Sequence, residues 1–382
     1  FDLIVVDEAH LSAATSYVKV FDAYPGARIL GVTGSPIRLD GKGLGRGHGG
    51  VFDTLVQGIS IRQLIEQGYL VRPAVYAPPS GPDLSDVKMQ GGDYEATSLA
   101  AAMDKPKITG DAIEHYQRIC PGVPAVAWCA SVAHAVHVAE QFTAAGIPAR
   151  ALSGEDDTAE RDAALADLSS GRIKVITFAM LLVEGVDCPA IGAVILLRPT
   201  MSLASFLQTI GRGLRPVYAP GLPLDTADQR FAAIDAGPKG GECFVLDHAG
   251  LVRKHGLPHR EREWSLEGRP RGRGKAKEPE ETLSLAQCPK CGVIHEPEPT
   301  CPGCGHIYPA HVRRGPEQVD GRLERVTEEE DAAEQERRAK RDAVGKARTL
   351  EELEKIAAER GYSRGWARHL FEARQRKGGG RR

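Results

Sequence analysis

Apolar positions over the first 75 residues form short runs separated by helical stretches. The opening segment FDLIVVDEAH has apolar residues from Leu3 to Val6 before two acids and a histidine. Such a run is typical of a strand that is buried on both faces of a parallel sheet. A helical stretch near 12–23, the run ARILGVTG and the helical SIRQLIEQGYL follow. The pattern predicts α/β structure over residues 1–76, with too few strands to complete a sheet.

A second and longer α/β pattern begins after a segment rich in proline, glycine and aspartate. Residues 77–107, which include APPSGPDLSD, predict a connector. Beyond it, strand patterns such as AVAWCAS, KVITFA and AVILLRPT alternate with helical patterns such as VAHAVHVAEQFTAAG and LASFLQTIGRGLR. Over residues 108–250 this alternation predicts a complete, doubly wound parallel domain.

The last third of the chain changes character. Residues 251–284 lose the apolar periodicity and contain RPRGRGKAK, which predicts a basic linker. Two Cys-Pro-x-Cys-Gly segments over 285–310 predict a zinc ribbon, because each can direct two thiolates onto one tetrahedral Zn²⁺. Residues 311–382 predict a charged helical region. The four expected metal ligands are Cys288, Cys291, Cys301 and Cys304.

Composition and charge limit the partners and the location. With 382 residues, 42% of them hydrophobic, the chain is long enough for two or three domains. Its net charge of -2 means that any contact with nucleic acid needs local basic patches. No apolar run approaches the roughly 20 residues of a membrane span and no leader is evident, so we expect a cytoplasmic protein with no membrane partner. Four of the cysteines cluster in two CxxC segments, which indicates reduced thiols and one metal rather than disulfides.

The acids after the first strand are candidates for metal chemistry. Asp7 would lie at the carboxyl edge of a parallel sheet, where such sheets bind ligands. In nucleotide-hydrolysing folds an acid at this position holds Mg²⁺, and a following glutamate such as Glu8 can activate water. The alternative is an ordinary strand end at which Asp7 caps the next helix.

Two further segments carry groups suited to phosphates. QTIGRGLRP places Gln208, Arg212 and Arg215 on one face of a helix, and two guanidiniums so spaced suit a phosphoryl transition state. A solvated basic face is the alternative. Gly185 and Asp187 follow a strand in TFAMLLVEGVDCP, where a loop can contact nucleotide or backbone phosphates; an ordinary turn is the alternative.

Taken together, five segments resemble the motifs of superfamily 2 helicases with a DEAH box. The resemblance implies tandem RecA-like lobes, the first incomplete in this sequence, with ATP and Mg²⁺ between them. The segments match motifs II to VI in order: Asp7 to His10, Thr33 to Pro36, the strand before Ser131, Thr177 to Asp187, and Gln208 to Arg215.

The resemblance also implies roles for the matching residues. It implies that Asp7 binds Mg²⁺, that Glu8 activates water, and that Asp187 lies near the nucleotide. Arg212 and Arg215 are implied to reach the ATP phosphates. The implied coupling and nucleic-acid residues are His10 and Gln208, which couple the lobes, Thr33 and Ser35, which relay the hydrolysis state, and Ser131 and Thr177, which contact the nucleic-acid backbone.

One motif is missing from the sequence. A P-loop requires Gly-x-x-x-x-Gly-Lys-Ser/Thr, and the glycine-rich LDGKGLGRGHGG at 39–50 does not match, because Lys42 is followed by Gly43. In the helicase family the P-loop precedes motif II. We therefore expect the sequence to be N-terminally truncated, and the 382 residues alone to be inactive as an ATPase.

These features predict an ATP-dependent helicase or translocase. DNA is favoured over RNA because TGSPIRLDGKGLG and LIEQGYLVRP look more like DNA-remodelling members of the family. The alternatives are an RNA helicase, the motor subunit of a restriction or repair complex, and a non-catalytic nucleic-acid clamp.

The ribbon and the tail are expected to grip nucleic acid independently of the motor, or else to dock a protein partner. The segment RGRGK in the linker is either a phosphate-binding tether or solvated charge. Aromatic residues of the tail either stack on bases or form a small apolar core; for Trp366 the core is favoured.

Overall fold

The computed structural model describes residues 1–38, 40–78, 82–179, 187–268, 285–308, 347, 349–361, 363 and 365–378. The chain divides into two compact units, Phe1–Ala310 and His311–Arg382. Each unit is described by itself. In the described residues, no helix combines the length and the apolar character that crossing a bilayer requires.

The N-terminal segment forms a small α/β layer. Strands β1 (Leu3–Val6) and β2 (Arg28–Gly31) pair in parallel, and helix α1 (Thr15–Ala23) connects them. Val6, Ala9 and Phe21 form the core of this layer. The prediction that the first strand is buried on both faces is wrong, since Leu3 and Val5 are 54% and 58% exposed. The described part of this sheet has two strands, and its helix covers one face only.

A large sheet dominates the first unit. Its strand order is β11-β12-β3-β10-β9-β6-β8-β7, and the six strands from β3 to β7 in that order are mutually parallel. The predicted α/β class with a mostly parallel sheet is therefore confirmed. The strands are β3 (Arg72–Tyr76), β6 (Ala125–Trp128), β7 (Ala149–Leu152), β8 (Val175–Phe178), β9 (Ala193–Leu196), β10 (Glu242–Asp247), β11 (Ala286–Gln287) and β12 (Ile294–His295).

Helices cover both faces of this sheet, which explains why β6, β8 and β9 are buried along their whole length. One apolar cluster contains Trp128, Phe178 and Phe206, and the other contains Tyr116 and Phe142. The helices are α2 (Ile61–Glu66), α3 (Ala96–Met103), α4 (Pro106–Ile119), α5 (Val132–Ala144), α6 (Thr158–Ser169), α7 (Leu203–Gly213), α8 (Ala227–Asp235) and α9 (Leu251–His255).

Three expected boundaries differ from the structure. Strand β3, assigned by sequence to the first lobe, pairs with β10 of the large sheet, so that sheet begins before residue 76. The expected connector contains α3 and a small hairpin, β4 (Met89–Gln90) and β5 (Asp93–Tyr94). The beginning of the expected basic linker is α9, and Leu257 beyond it is buried in the core. RPRGRGKAK lies outside the described residues.

In its described residues, the second unit has two helices, Leu350–Arg360 and Trp366–Gly378. Thr349 caps the first helix in a capping box with Glu352. Leu353 is fully buried between the helices, and Trp366 packs against the same small cluster. The alternative of an apolar core fits Trp366 here.

Candidate functional site

The first candidate group lies where β1 ends. Asp7 is exposed, and its Oδ1 accepts a hydrogen bond of 2.8 Å from the backbone N–H of Glu8. Among the residues that the structure describes, Glu8 is the one non-glycine residue with positive φ, at 47°. Such a conformation costs on the order of 1–3 kcal/mol and is found mostly at functional sites. Hydrogen bonds from Ala9 N to Val32 O and from Val32 N to Val6 O hold the turn in place.

His10 connects this turn to the segment after β2. Its Nδ1 lies 3.1 Å from Thr33 Oγ1 and 3.3 Å from Glu8 Oε2. Thr33 Oγ1 in turn accepts a hydrogen bond from the backbone N–H of Ser35. The Oε2 atom of Glu8 is buried and has no hydrogen-bond partner among the described residues. The structure thus brings together the matched residues of motifs II and III, and it leaves one carboxylate oxygen of Glu8 without a donor.

The third group lies on helix α7, where the predicted shared face is present. Ser202 caps the helix, and Phe206 and Ile210 turn towards the sheet. Gln208 and Arg212 remain partly exposed. Arg215 follows the helix and forms an ion pair with Asp187, so the structure joins the matched residues of motifs V and VI. Gly185 lies outside the described residues.

The two residues expected to contact a nucleic-acid backbone differ in accessibility. Ser131 is partly exposed and caps α5, accepting a hydrogen bond of 3.1 Å from His134 N. Thr177 lies inside β8 with no exposed surface, and its hydroxyl donates to the carbonyl of Ala135 at 2.6 Å. The structure contradicts the expected contact for Thr177, because a buried hydroxyl that already donates to α5 cannot meet a phosphate.

The four clustered cysteines converge on one point. The Sγ atoms of Cys288 and Cys304 are 3.7 Å apart, as are those of Cys291 and Cys301. All four sulfurs lie within 4.8 Å of one another, so they could hold a metal ion. Each Cys-Pro-x-Cys-Gly turn closes through a hydrogen bond from the glycine N–H to the first cysteine carbonyl. These glycines have φ of 78° and 67°, which suits glycine alone among common residues.

The surroundings favour the thiolate of Cys288, whereas burial raises the pKa of Cys291 to about 12, and they leave His295 out of the cluster. Burial acts to raise the pKa of Cys288, but hydrogen bonds from the backbone N–H groups of Cys291 and Lys290 lower it to about 5. His295 is engaged elsewhere, since its Nε2 lies 2.8 Å from Tyr308 Oη and its Nδ1 lies 2.6 Å from the carbonyl of Glu296. The donor set is therefore four sulfurs.

The helicase conserved C-terminal domain matches residues 112–217, from within α4 to just beyond α7. A Schizosaccharomyces pombe protein named as a mitochondrial ATP-dependent helicase, irc3, is 30% identical over 227 residues, which are 56% of this chain and 36% of that protein. These similarities support the predicted superfamily 2 helicase family.

Two further proteins are similar to this chain. The 51.5 kDa protein of a Lactococcus phage, isolate 7-9, is 29% identical over 330 residues, which cover 86% of this chain and 66% of the phage protein. A fragment of an HsdR subunit of a type I restriction enzyme from Vibrio vulnificus YJ016 superposes with a TM-score of 0.45 at 18% identity, covering 68% of this chain and 45% of that one. The chain spans less than two thirds of the length of both sequence relatives.

The sequence patterns gave no indication of the role of Lys239. Its ammonium group donates hydrogen bonds to the carbonyls of Gly213 and Arg215, where α7 ends. Burial lowers the pKa of Lys239 to about 8. A cation at a helix C-terminus stabilises the unpaired carbonyls there. Lys239 thus fixes the backbone from which Arg215 projects, and the sequence around it, GPKGG, resembles any loop.

Proposed function

We propose that this chain provides part of an ATP-dependent motor that translocates along nucleic acid, on DNA in preference to RNA. The observation that carries the proposal is the contact of His10 with both Glu8 and Thr33. A catalytic carboxylate and a segment that follows a different strand are thereby joined. A change in the charge or position of Glu8 during hydrolysis would be felt at Thr33 and, through it, at Ser35.

The residues after β1 fit Mg²⁺ and an attacking water. Carboxylate oxygens are the ligands that Mg²⁺ prefers, and Asp7 is exposed at the carboxyl end of its strand. When bound, Mg²⁺ supplies positive charge to the phosphates of ATP. The Oε2 atom of Glu8 makes no hydrogen bond among the described residues and lies 3.3 Å from His10 Nδ1, and the carboxylate can accept a proton from water. The strained backbone of Glu8 holds that carboxylate in one place.

Arg212 and Arg215 are the proposed phosphate-binding groups of the second lobe. The ion pair of Arg215 with the exposed carboxylate of Asp187 keeps the guanidinium extended at the end of α7. The triphosphate would then compete with Asp187 for Arg215, which would couple nucleotide binding to the segment that contains Asp187. Gln208 lies one turn earlier on the same face and is proposed to face the first lobe.

Zinc is the proposed metal of the four-cysteine group. Zn–S bonds of about 2.3 Å in a tetrahedron put neighbouring sulfurs about 3.8 Å apart. The observed separations of 3.7 Å agree with that geometry. A closed set of four thiolates is typical of a structural site, so we assign the ion no part in ATP hydrolysis.

The test is nucleic-acid-stimulated ATP hydrolysis by the protein that carries this sequence together with a P-loop. Glu8→Gln should still bind ATP but lose about 10²- to 10⁴-fold in turnover, because it removes the group that accepts the proton. Glu140→Gln, an exposed change of the same kind on α5, is the control and should leave turnover unaltered. Wild-type turnover in Glu8→Gln would refute the assignment. DNA and RNA strands of equal length, used as stimulators, test the preference for DNA.

A further inference from the structure

A polar cavity of about 650 Å³ lies between the second lobe and the first cysteine turn. It is bounded by α4, by the carboxyl ends of β3 and β10, and by the residues around Lys290. None of the helicase motifs contributes to it. The polar, aromatic and thiol side chains that line it are Tyr76, His115, Arg118, Asp247, His248, Gln287, Lys290 and Cys291.

The charge of the cavity suits an anion. Arg118 and Lys290 are exposed, and neither side chain makes a hydrogen bond or an ion pair within the described part of the chain. Asp247 is the one acid in the lining. Its carboxylate is buried and already accepts hydrogen bonds from the backbone N–H groups of Ala249 and Val252, at 3.1 and 2.8 Å. The two cations therefore determine the charge that a ligand would meet.

An aromatic pair lies in the same cavity. The rings of His115 and His248 stack with centroids 5.1 Å apart and an interplanar angle of 21°. One ring comes from α4 and the other from the end of β10, so the packing of the helix on the sheet fixes the pair. A flat stack of this kind presents a face on which a base can stack, at no cost in side-chain ordering.

The position of the cavity on the sheet is also informative. The carboxyl ends of the parallel strands β3, β10, β9 and β6 succeed one another along one edge. Ser131 follows β6 at that edge, three strand spacings or about 14 Å from the end of β3. A strand of nucleic acid that passed Ser131 could therefore continue along the edge into the cavity.

We propose that this cavity binds one nucleotide unit of a single strand, with its phosphate on Arg118 and Lys290 and its base against the His115–His248 stack. The proposal rests on the proposed motor function and adds a contact that lies outside the helicase motifs. It gives the four-cysteine ribbon a defined task, because Lys290 lies within the first Cys-Pro-x-Cys-Gly turn. The ribbon and the second lobe would then hold the same strand jointly.

Salt dependence of binding tests the phosphate contacts. The binding of a fluorescent 20-nucleotide dT strand to the full chain is measured without ATP over a salt series. The slope of log K against log salt is negative, and each lost phosphate contact reduces its magnitude by about 0.7 for single strands, so Arg118→Ala/Lys290→Ala should reduce that magnitude by about 1.4. The control is Arg172→Ala/Lys174→Ala, which removes two cations just before β8, the strand next to the other edge strand β7. An unchanged slope in the first variant, with the control also unchanged, would overturn the proposal.

A second measurement tests the base. A strand that contains 2-aminopurine should lose fluorescence on binding, and His115→Ala should restore part of it while Arg172→Ala should not. Metal content and the circular dichroism spectrum of each variant show whether it has folded; Arg118→Gln/Lys290→Gln is the second pair if alanine perturbs the fold. Wild-type protein that binds no strand at low salt would contradict the motor function itself. Wild-type binding with unchanged variants would contradict only this site.

Discussion

At the scale of single residues, the two glycines of QTIGRG have opposite roles. A Cβ on Gly213 would lie 2.5 Å from Cys243 Sγ and 2.9 Å from Val194 Cγ2, because the end of α7 lies directly on the sheet. A Cβ on Gly211 would meet nothing within 4 Å. The close approach at Gly213 determines how near α7 lies to the sheet, and therefore where Arg212 and Arg215 are held.

Gly213→Ala should therefore lower the free energy of unfolding by about 1–3 kcal/mol, the usual cost of overpacking. Gly211→Ala, two residues away in the same helix, should raise it by up to about 1 kcal/mol, because alanine restricts the unfolded chain. Urea denaturation of both variants makes the comparison. Equal effects of the two changes would show that α7 does not contact the sheet closely.

A second prediction at this scale concerns pH. Burial, and then the neighbouring His115, lowers the pKa of His248 to about 3, against 6.5 for an ordinary histidine. The unfolded chain therefore binds a proton near pH 6.5 that the folded protein does not, and stability is lost as the pH falls below 6.5. Between pH 7 and pH 5.5 the wild type should lose about 1 kcal/mol more than His248→Phe, which keeps the stacked ring but cannot titrate. An equal loss of unfolding free energy between the two pH values in both proteins would contradict this assignment.

At the scale of elements, the cysteine ribbon is an edge of the second-lobe sheet. Strand β12 pairs antiparallel with β3, with Ile294 opposite Val75. A fragment of residues 251–382 would leave β12 without its partner strand, so the predicted grip of the ribbon on nucleic acid is best tested in the whole chain. Metal binding and the order of this sheet edge should be coupled, because folding of such a site depends on its ion.

Cys288→Ser should release the metal and expose the backbone of β3. Hydrogen exchange should accelerate in Arg72–Tyr76, next to the ribbon, and stay slow in Ala149–Leu152, at the other edge of the same sheet. The second edge is an internal control for global unfolding. Unchanged exchange in β3 after metal loss would mean that the ribbon does not support the sheet.

At the scale of the whole first unit, the glycine-rich segment that fails as a P-loop has a structural task. Gly45 N donates to the carbonyl of Leu266 at 3.0 Å, and Lys42 pairs with Gly268 in an isolated bridge. A Cβ on Gly43 would lie 2.0 Å from Leu266 O, whereas one on Gly47 would meet nothing within 4 Å. These backbone contacts join the segment after motif III to the segment after α9.

Gly43→Ala should therefore separate the loop from residues 266–268, because the obstruction is backbone and cannot rotate away. The amides of residues 43–46 should exchange faster, and a protease should cut the loop sooner. Gly47→Ala, in the same loop, should behave as the wild type. Slow exchange of these amides in Gly43→Ala would contradict the prediction, because the loop would then still be held against residues 266–268.

The sequence by itself determined the local features of this protein. The 3.6-residue period and the caps specify α7, and the spacing in QTIGRGLRP puts Gln208, Arg212 and Arg215 on its outer face. Each Cys-Pro-x-Cys-Gly turn depends on five neighbouring residues. The sequence therefore sufficed to predict that its two thiols face the same metal ion. The order of the motifs along the chain likewise sufficed to name the family.

Only the tertiary structure decided which distant parts meet. The sequence assigned residues 72–76 to the first lobe, but pairing across 170 residues with β10 places them in the second sheet. Thr177 occupies the expected strand, and its burial follows from helix α5, which packs on that strand and supplies the carbonyl of Ala135. Lys239 acquires its role from the end of α7, and the cavity at His248 needs α4, β10 and the ribbon together. Such features depend on contacts between residues far apart in sequence. Local patterns of apolar and polar residues do not specify which distant residues will meet.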